Sequence, residues 1–145
     1  MRQETENVDP NWLGEEDIYK ENILDHYKNP HNFGSLENPT FSNKENNPLC
    51  GDQIEIFVNT KDNEIKEIKF QGNGCAISMA SASMLTEKVK GMSIEEGVKL
   101  AVRCIKASML REPSVGEGID IYVVKKGEIK QISAQEASYE LKEER

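Results

Sequence analysis

Three cysteines, Cys50, Cys75 and Cys104, have the most scope for chemistry in this chain. Two lie in loops flanked by glycine, Pro48-Leu49-Cys50-Gly51-Asp52 and Gly72-Asn73-Gly74-Cys75. Glycine removes side-chain bulk and permits unusual backbone angles, which a loop needs if sulfur and amide groups are to crowd around one metal or anion. Cys75 also precedes a predicted helix, whose unpaired N–H groups and dipole favour a thiolate over a thiol. A thiolate is the form that binds metal or attacks sulfur. Asp52, two residues after Cys50, offers either a hard oxygen ligand beside soft sulfur or a base that assists ligand exchange. Its plainer role is that of a turn residue ahead of a strand.

For the cysteines the plainer role is burial as small apolar side chains. No CxxC pair is present, so spacing alone does not define a metal site. Cys104 falls on a predicted helix, about 120° from the centre of its apolar face at ~100° per residue. That direction leaves it half exposed and favours a structural role. His26 and His31 flank a turn and can approach a metal as neutral imidazoles, although capping or packing near a helix end is the favoured reading for both.

The elements that position these residues follow from periodicity and punctuation. From Met1 to about Gly14 the chain is polar and aperiodic, which predicts a mobile lead-in with local docking by Trp12 and Leu13. Ile18, Ile23, Leu24 and Tyr27 recur at helical spacing until Asn29-Pro30, which predicts a helix over 15–28. Residues 30–52 have loop composition, with room for a short strand near Thr40-Phe41-Ser42. Ile54, Ile56 and Val58 alternate with polar residues, Lys61-Asp62-Asn63 punctuates, and Ile65 to Phe70 resumes the run as a β-hairpin. Ala76 to Lys90 reads as a helix ending at Gly91. Ser93-x-x-Glu96 is a capping box opening another helix, with Ile94, Val98, Ala101, Val102, Ile105 and Met109 on its apolar face and an end before Pro113. Ile119 to Val124 and Ile129 to Ile132 read as a second hairpin turning at Lys126-Gly127, and a short charged helix over 134–144 closes the chain.

Composition narrows the function classes. The length of 145 residues suits one domain and one site. A formal charge of −8 opposes nucleic-acid binding, which depends on neutralising phosphates. Apolar stretches such as Ile54 to Val58 and Cys75 to Ala82 are far short of the ~20 residues of a membrane span. Met1 to Pro10 carries Glu4, Glu6 and Asp9 where a signal peptide would be basic and then apolar, so a cytoplasmic location is expected. An odd number of cysteines in such a chain argues against a disulfide framework.

Several stretches, taken in order, resemble the U-type iron–sulfur cluster assembly scaffold family. They are Asp25-His26-Tyr27-Lys28-Asn29-Pro30-His31-Asn32, Asn47-Pro48-Leu49-Cys50-Gly51-Asp52, Gly72-Asn73-Gly74-Cys75 continuing through Ala76-Ile77-Ser78-Met79-Ala80-Ser81-Ala82-Ser83-Met84, and Lys90-Gly91. Agreement of several motifs in order, over roughly residues 18–96, is more specific than any one of them. The form Gly74-Cys75-Ala76-Ile77-Ser78-Met79-Ala80-Ser81-Ala82-Ser83 is closer to the branch paired with SUF-type cysteine desulfurases than to the ISC-type branch. The resemblance implies an α+β fold, a small antiparallel sheet with helices packed on one face, here with an atypical C-terminal segment. Residues 1–14 would be the lead-in, 15–112 the scaffold-like domain, and 113–145 a divergent segment of the same domain. Ala80, Ser81, Ala82 and Ser83 would let the helix after Cys75 lie close to the sheet.

The family uses three cysteines and one aspartate, and Cys50, Asp52 and Cys75 match three of these four positions, implying a metal or cluster site on them. Arg103-Cys104-Ile105-Lys106-Ala107 resembles the context of the third family cysteine but comes early. Either a shortened segment brings Cys104 to the site, or the third ligand is absent. The reading adopted puts Cys104 outside, with Cys50, Asp52 and Cys75 completed by water, His26, His31 or a second molecule. The implied function is a non-enzymatic scaffold that binds iron and sulfide as a [2Fe–2S] cluster, receives sulfur from a cysteine desulfurase and passes the cluster to acceptor apoproteins. The alternative is a zinc-bound sulfur carrier with sulfurtransferase activity, in which Zn²⁺ sits on the same residues and persulfide sulfur is accepted from the desulfurase. A third reading is a degenerate partner of the desulfurase that binds no cluster.

Overall fold

The sheet is built around one tight turn. Asp62 and Asn63 both adopt left-handed backbone angles, φ 54° and 62°, the requirement of a two-residue hairpin whose twist matches its strands. The computed structural model describes residues 15–111, 121–125 and 128–132. Its elements are α1 (Glu15–Lys28), β1 (Phe41–Asn46), β2 (Gln53–Lys61), β3 (Glu64–Asn73), α2 (Ala76–Val89), α3 (Ile94–Arg111), β4 (Ile121–Lys125) and β5 (Glu128–Ile132). The predicted helix over 15–28, the first hairpin and the two helices after Cys75 are all present. So are the strands of the second hairpin, and the short strand near Thr40 begins at Phe41. The expected lead-in, the Lys126-Gly127 turn and the closing helix over 134–144 lie outside the described residues.

The fold is α+β, with a three-stranded antiparallel sheet in the order β1-β2-β3. β1 runs antiparallel to β2, with Phe41 opposite Val58 and Asn46 opposite Gln53. All six residues of β1 are exposed, and its Ser-Asn-Lys-Glu-Asn sequence suits an edge that must not recruit further strands. On the far side of β3, the Gly34 amide donates to the Phe70 carbonyl at 2.8 Å and the Phe70 amide to the Asn32 carbonyl at 3.0 Å. Phe33 and Phe70 meet edge to face, with ring centroids 5.4 Å apart.

The described residues form two compact units, 15–61 with 66–90 and 62–65 with those from 91 onward. In the first, the buried apolar side chains are Phe57, Ile68, Phe70, Met79, Ala80 and Val89. The alternation in β2 is real, yet Phe57 is its buried residue, while Ile54, Ile56 and Val58 on the opposite face are only half-buried. In α1 the expected apolar face is largely outside: Ile18, Leu24 and Tyr27 are exposed, and the buried residue is His26. Of the small residues in α2, Ala80 and Ser83 are buried, whereas Ser81 is exposed.

In the second unit the capping box forms as read. The Ser93 amide donates to Glu96 Oε2 at 2.8 Å and the Glu96 amide to Ser93 Oγ at 3.2 Å, so two amides left orphaned at the start of α3 are satisfied reciprocally. Val102 is the buried residue of the α3 face, and Ile105, assigned to that face, is exposed. The β4-β5 hairpin is antiparallel, with Ile121 opposite Ile132 and Lys125 opposite Glu128.

Phe70 is fully buried at the centre of the first unit. Phe70→Ala is expected to lower unfolding free energy by about 3–5 kcal/mol through lost transfer energy and the cavity left behind. In urea titration the midpoint should fall at near-constant slope; an unchanged midpoint would remove Phe70 from the core.

Candidate metal and thiol site

The connection from β1 to β2 holds Cys50 and Asp52. The Gly51 amide donates to the Asn47 carbonyl and the Asn47 amide to the Asp52 carbonyl, both at 2.8 Å, while Asn47 Oδ1 accepts from the Leu49 amide at 3.0 Å. Gly51, at φ 75°, takes the left-handed angle that lets the loop close immediately after Cys50. The result is an exposed Cys50 and an Asp52 fixed at the mouth of β2.

Cys75 comes from the other side. β3 neighbours β2 and runs antiparallel to it, so the end of β3 returns beside the start of β2. The approach is tight at Gly72, where a Cβ would stand 2.0 Å from the Gln53 carbonyl oxygen. At Gly74 a Cβ would stand 3.1 Å from Asp52 Cγ and 3.2 Å from Ser78 Cβ. Glycine at both positions therefore admits Asp52 to the start of α2.

Cys75 is the N-cap of α2, its Sγ accepting from the Ser78 amide at 3.4 Å. Sulfur occupies the position usually held by a serine, threonine or aspartate oxygen. The Cys75 amide donates to Asp52 Oδ1 at 3.3 Å, and the Ser78 hydroxyl donates to Asp52 Oδ2. The Ser78 hydroxyl and amide hold the Cys75 thiol below its ordinary pKa, with a smaller push from the Ile77 amide; the Asp52 charge acts in the opposite sense. The Asp52 carboxyl is lowered in turn, first by the Ser78 hydroxyl, then by the Cys75 amide and the thiols of Cys50 and Cys75. The two cysteines thus flank one carboxylate, Cys50 two residues ahead of it in the chain and Cys75 through its amide.

Three sequence-predicted residues, Cys50, Asp52 and Cys75, are brought together. Ser78 is a site residue that the sequence reading does not single out, although the Cys-x-x-Ser spacing at a helix start is the signal that finds it. Cys104 is exposed on α3, in the second unit. His26 and His31 are engaged further along α2: His26 Nδ1 lies 2.8 Å from Ser83 Oγ, and His31 Nδ1 lies 3.1 Å from Glu87 Oε1. They pack at the far end of α1, as the favoured reading has it, and Ser83 serves the histidines.

A model of the NifU-like N-terminal domain matches residues 18–137. The chain belongs to that family. The match runs on from the motif-bearing stretch and takes in most of the C-terminal segment expected to diverge. Over 83 residues, 57% of this chain and 54% of the relative, it is 43% identical to the iron–sulfur cluster assembly scaffold protein IscU 1 of Archaeoglobus fulgidus. It thus spans about half the length of that curated relative. Over 104 residues, 72% of this chain and 69% of the relative, it is 39% identical to the zinc-dependent sulfurtransferase SufU of Bacillus subtilis. Among solved structures, a protein from Fervidobacterium islandicum described as a SUF-system cluster assembly scaffold is 30% identical. It superposes with a TM-score of 0.59 over 70% of this chain and 76% of that one.

Ser78 makes a direct test of the NifU-like site. In a background where Cys50 and Cys104 are serine, the pH profile of Cys75 alkylation should have its midpoint below the ~8.5 of a free thiol. Ser78→Ala should move that midpoint upward. An unchanged midpoint would remove the Ser78 hydroxyl as the cause. Because the Asp52 carboxyl is lowered on folding, its contribution to stability is present above the ordinary carboxylate pKa and fades as pH falls through the lowered one.

Proposed function

We propose that this chain is an iron–sulfur cluster assembly scaffold, on which Cys50, Asp52 and Cys75 hold iron and sulfide as a [2Fe–2S] cluster for transfer to acceptor apoproteins. The observation that carries the reading is the Asp52 carboxylate, two residues after the exposed Cys50, accepting the amide of the helix-capping, exposed Cys75. Two soft sulfurs and one hard oxygen are a donor set that accepts iron and also gives it up, which a scaffold requires. The similarity to IscU 1 of Archaeoglobus fulgidus supports the same reading. Sulfur would be delivered by a cysteine desulfurase. Cys104 is placed outside the site, and a water or a second molecule completes the ligand set. The cytoplasm is the proposed place of work, a reading supported by three free thiols, which suit a reducing compartment. Among the described residues no helix is long and apolar enough to cross a membrane.

A second reading has its own support. The Cys75 thiol is activated as a helix cap, and the chain is similar to the zinc-dependent sulfurtransferase SufU. On this reading the same three residues hold Zn²⁺, which supplies charge to keep thiolates deprotonated without redox chemistry, and the protein carries persulfide sulfur from the desulfurase.

Metal analysis after anaerobic purification separates the two, with a visible spectrum before and after reconstitution with iron and a cysteine desulfurase. Sulfide-to-iron charge-transfer bands are the expected result; tight zinc in a colourless protein supports the carrier. Cys50→Ser and Cys75→Ser should each abolish iron or zinc binding at this site while leaving the melting transition cooperative. Native stoichiometry at the site in either variant would refute it.

Asp52→Ala should give a more persistent cluster, because removing the hard oxygen slows ligand exchange and water access. Cluster loss faster than in the unmodified chain would make Asp52 a required ligand.

A further inference from the structure

A different group of potential ligands gathers further along α2, where Glu87 meets His26 of α1 and His31 of the loop that follows α1. His26, His31 and Glu87 each present one ligand atom, and these atoms lie within 4.8 Å of one another. Ser78 and Glu87 are nine residues apart on α2, about 13 Å along the axis at 1.5 Å per residue. The group is therefore distinct from the loops of Cys50 and Cys75.

We propose that His26, His31 and Glu87 form a second site, for a zinc-like first-row divalent cation held by two imidazoles and one carboxylate. His26 is buried at 6% exposure on α1, and its Nδ1 is 2.8 Å from Ser83 Oγ. A ligating histidine characteristically gives its other ring nitrogen to a fixed partner, which sets the tautomer and aims the ring. With Nδ1 committed to Ser83, the free ring atom is Nε2, and it points at Glu87 Oε2 from 3.7 Å, too far for a hydrogen bond.

His31 is fixed at the backbone. Its amide donates to the same Ser83 Oγ at 2.7 Å, and the neighbouring Asn32 side chain donates to Thr86 Oγ1 at 3.3 Å. The loop is thus pinned to α2 on either side of the imidazole, whose centroid is 4.6 Å from that of His26. Zinc bonds to nitrogen and oxygen are about 2.0–2.2 Å, so two ligands of one tetrahedral ion stand about 3.4 Å apart. Glu87 oxygens already lie 3.1 Å from His31 Nδ1 and 3.7 Å from His26 Nε2, so three ligand atoms within 4.8 Å of one another reach that spacing by small side-chain rotations, Glu87 being 54% exposed. The half-exposed His31 and Glu87 leave an open side for water ligands. Two imidazoles select a borderline cation such as Zn²⁺ over the hard Mg²⁺ or Ca²⁺.

The test uses the full chain with Cys50, Cys75 and Cys104 all changed to serine, so that failure of the thiol site and failure of this one are distinguishable. Cobalt(II) is titrated, then displaced by zinc. One equivalent should bind with ligand-field bands and no thiolate charge transfer, and zinc should raise the melting temperature. In the same background His31→Gln and Glu87→Gln, both at the surface, should each abolish stoichiometric binding. Ser83→Ala should weaken it about ten- to hundredfold by releasing the His26 ring. Absence of cobalt binding in the thiol-free chain would overturn the proposal, as would binding indifferent to both His31→Gln and Glu87→Gln.

Discussion

The Asp52 carboxylate is the tie on which the site depends. One oxygen accepts the Cys75 amide and the other the Ser78 hydroxyl, so the beginning of β2 is joined to the beginning of α2 through a single side chain. Neither loop alone would fix a thiol. The cysteine that caps the helix and the carboxylate two residues after Cys50 meet because the strands entering and leaving the junction are neighbours. The chemistry of the site is therefore a property of strand order as much as of cysteine content.

The same carboxylate sets the electrostatic character of the thiols. The Ser78 hydroxyl and amide draw Cys75 toward the thiolate while the negative charge of Asp52 resists it. The resulting sulfur is activated yet held beside an anion, a balance that disfavours permanent occupancy by another anion. A cation relieves both charges at once. This is why the arrangement reads as a place for a metal.

Much of this is legible in the amino-acid sequence. Periodicity locates the helices, and Ser93-x-x-Glu96 marks the start of α3 because capping is a local interaction written in adjacent residues. Glycine beside Cys50 and Cys75 marks the loops, through a left-handed backbone angle at Gly51 and a close approach at Gly74. What escapes is set by partners distant in sequence. His26 is buried because Ser83, 57 residues away, satisfies its ring, a partner that the favoured reading of packing near the helix end does not name. Phe57, on the face of β2 opposite Ile56, is chosen as core by packing that alternation alone does not rank. Ser78 escapes because a serine in the first turn of a helix carries no signal until sulfur is admitted as a capping atom.

Gly72 shows how narrowly such a junction is drawn. With the Gln53 carbonyl 2.0 Å from where a Cβ would lie, the crossing of β2 and β3 admits hydrogen and nothing larger. Seen as heredity, any single-base missense change in a glycine codon yields a residue with a Cβ, so no lineage can step through position 72 and keep this geometry. Variation must enter elsewhere, and the exposed edge strand β1 is open to it in a way the end of β3 is not.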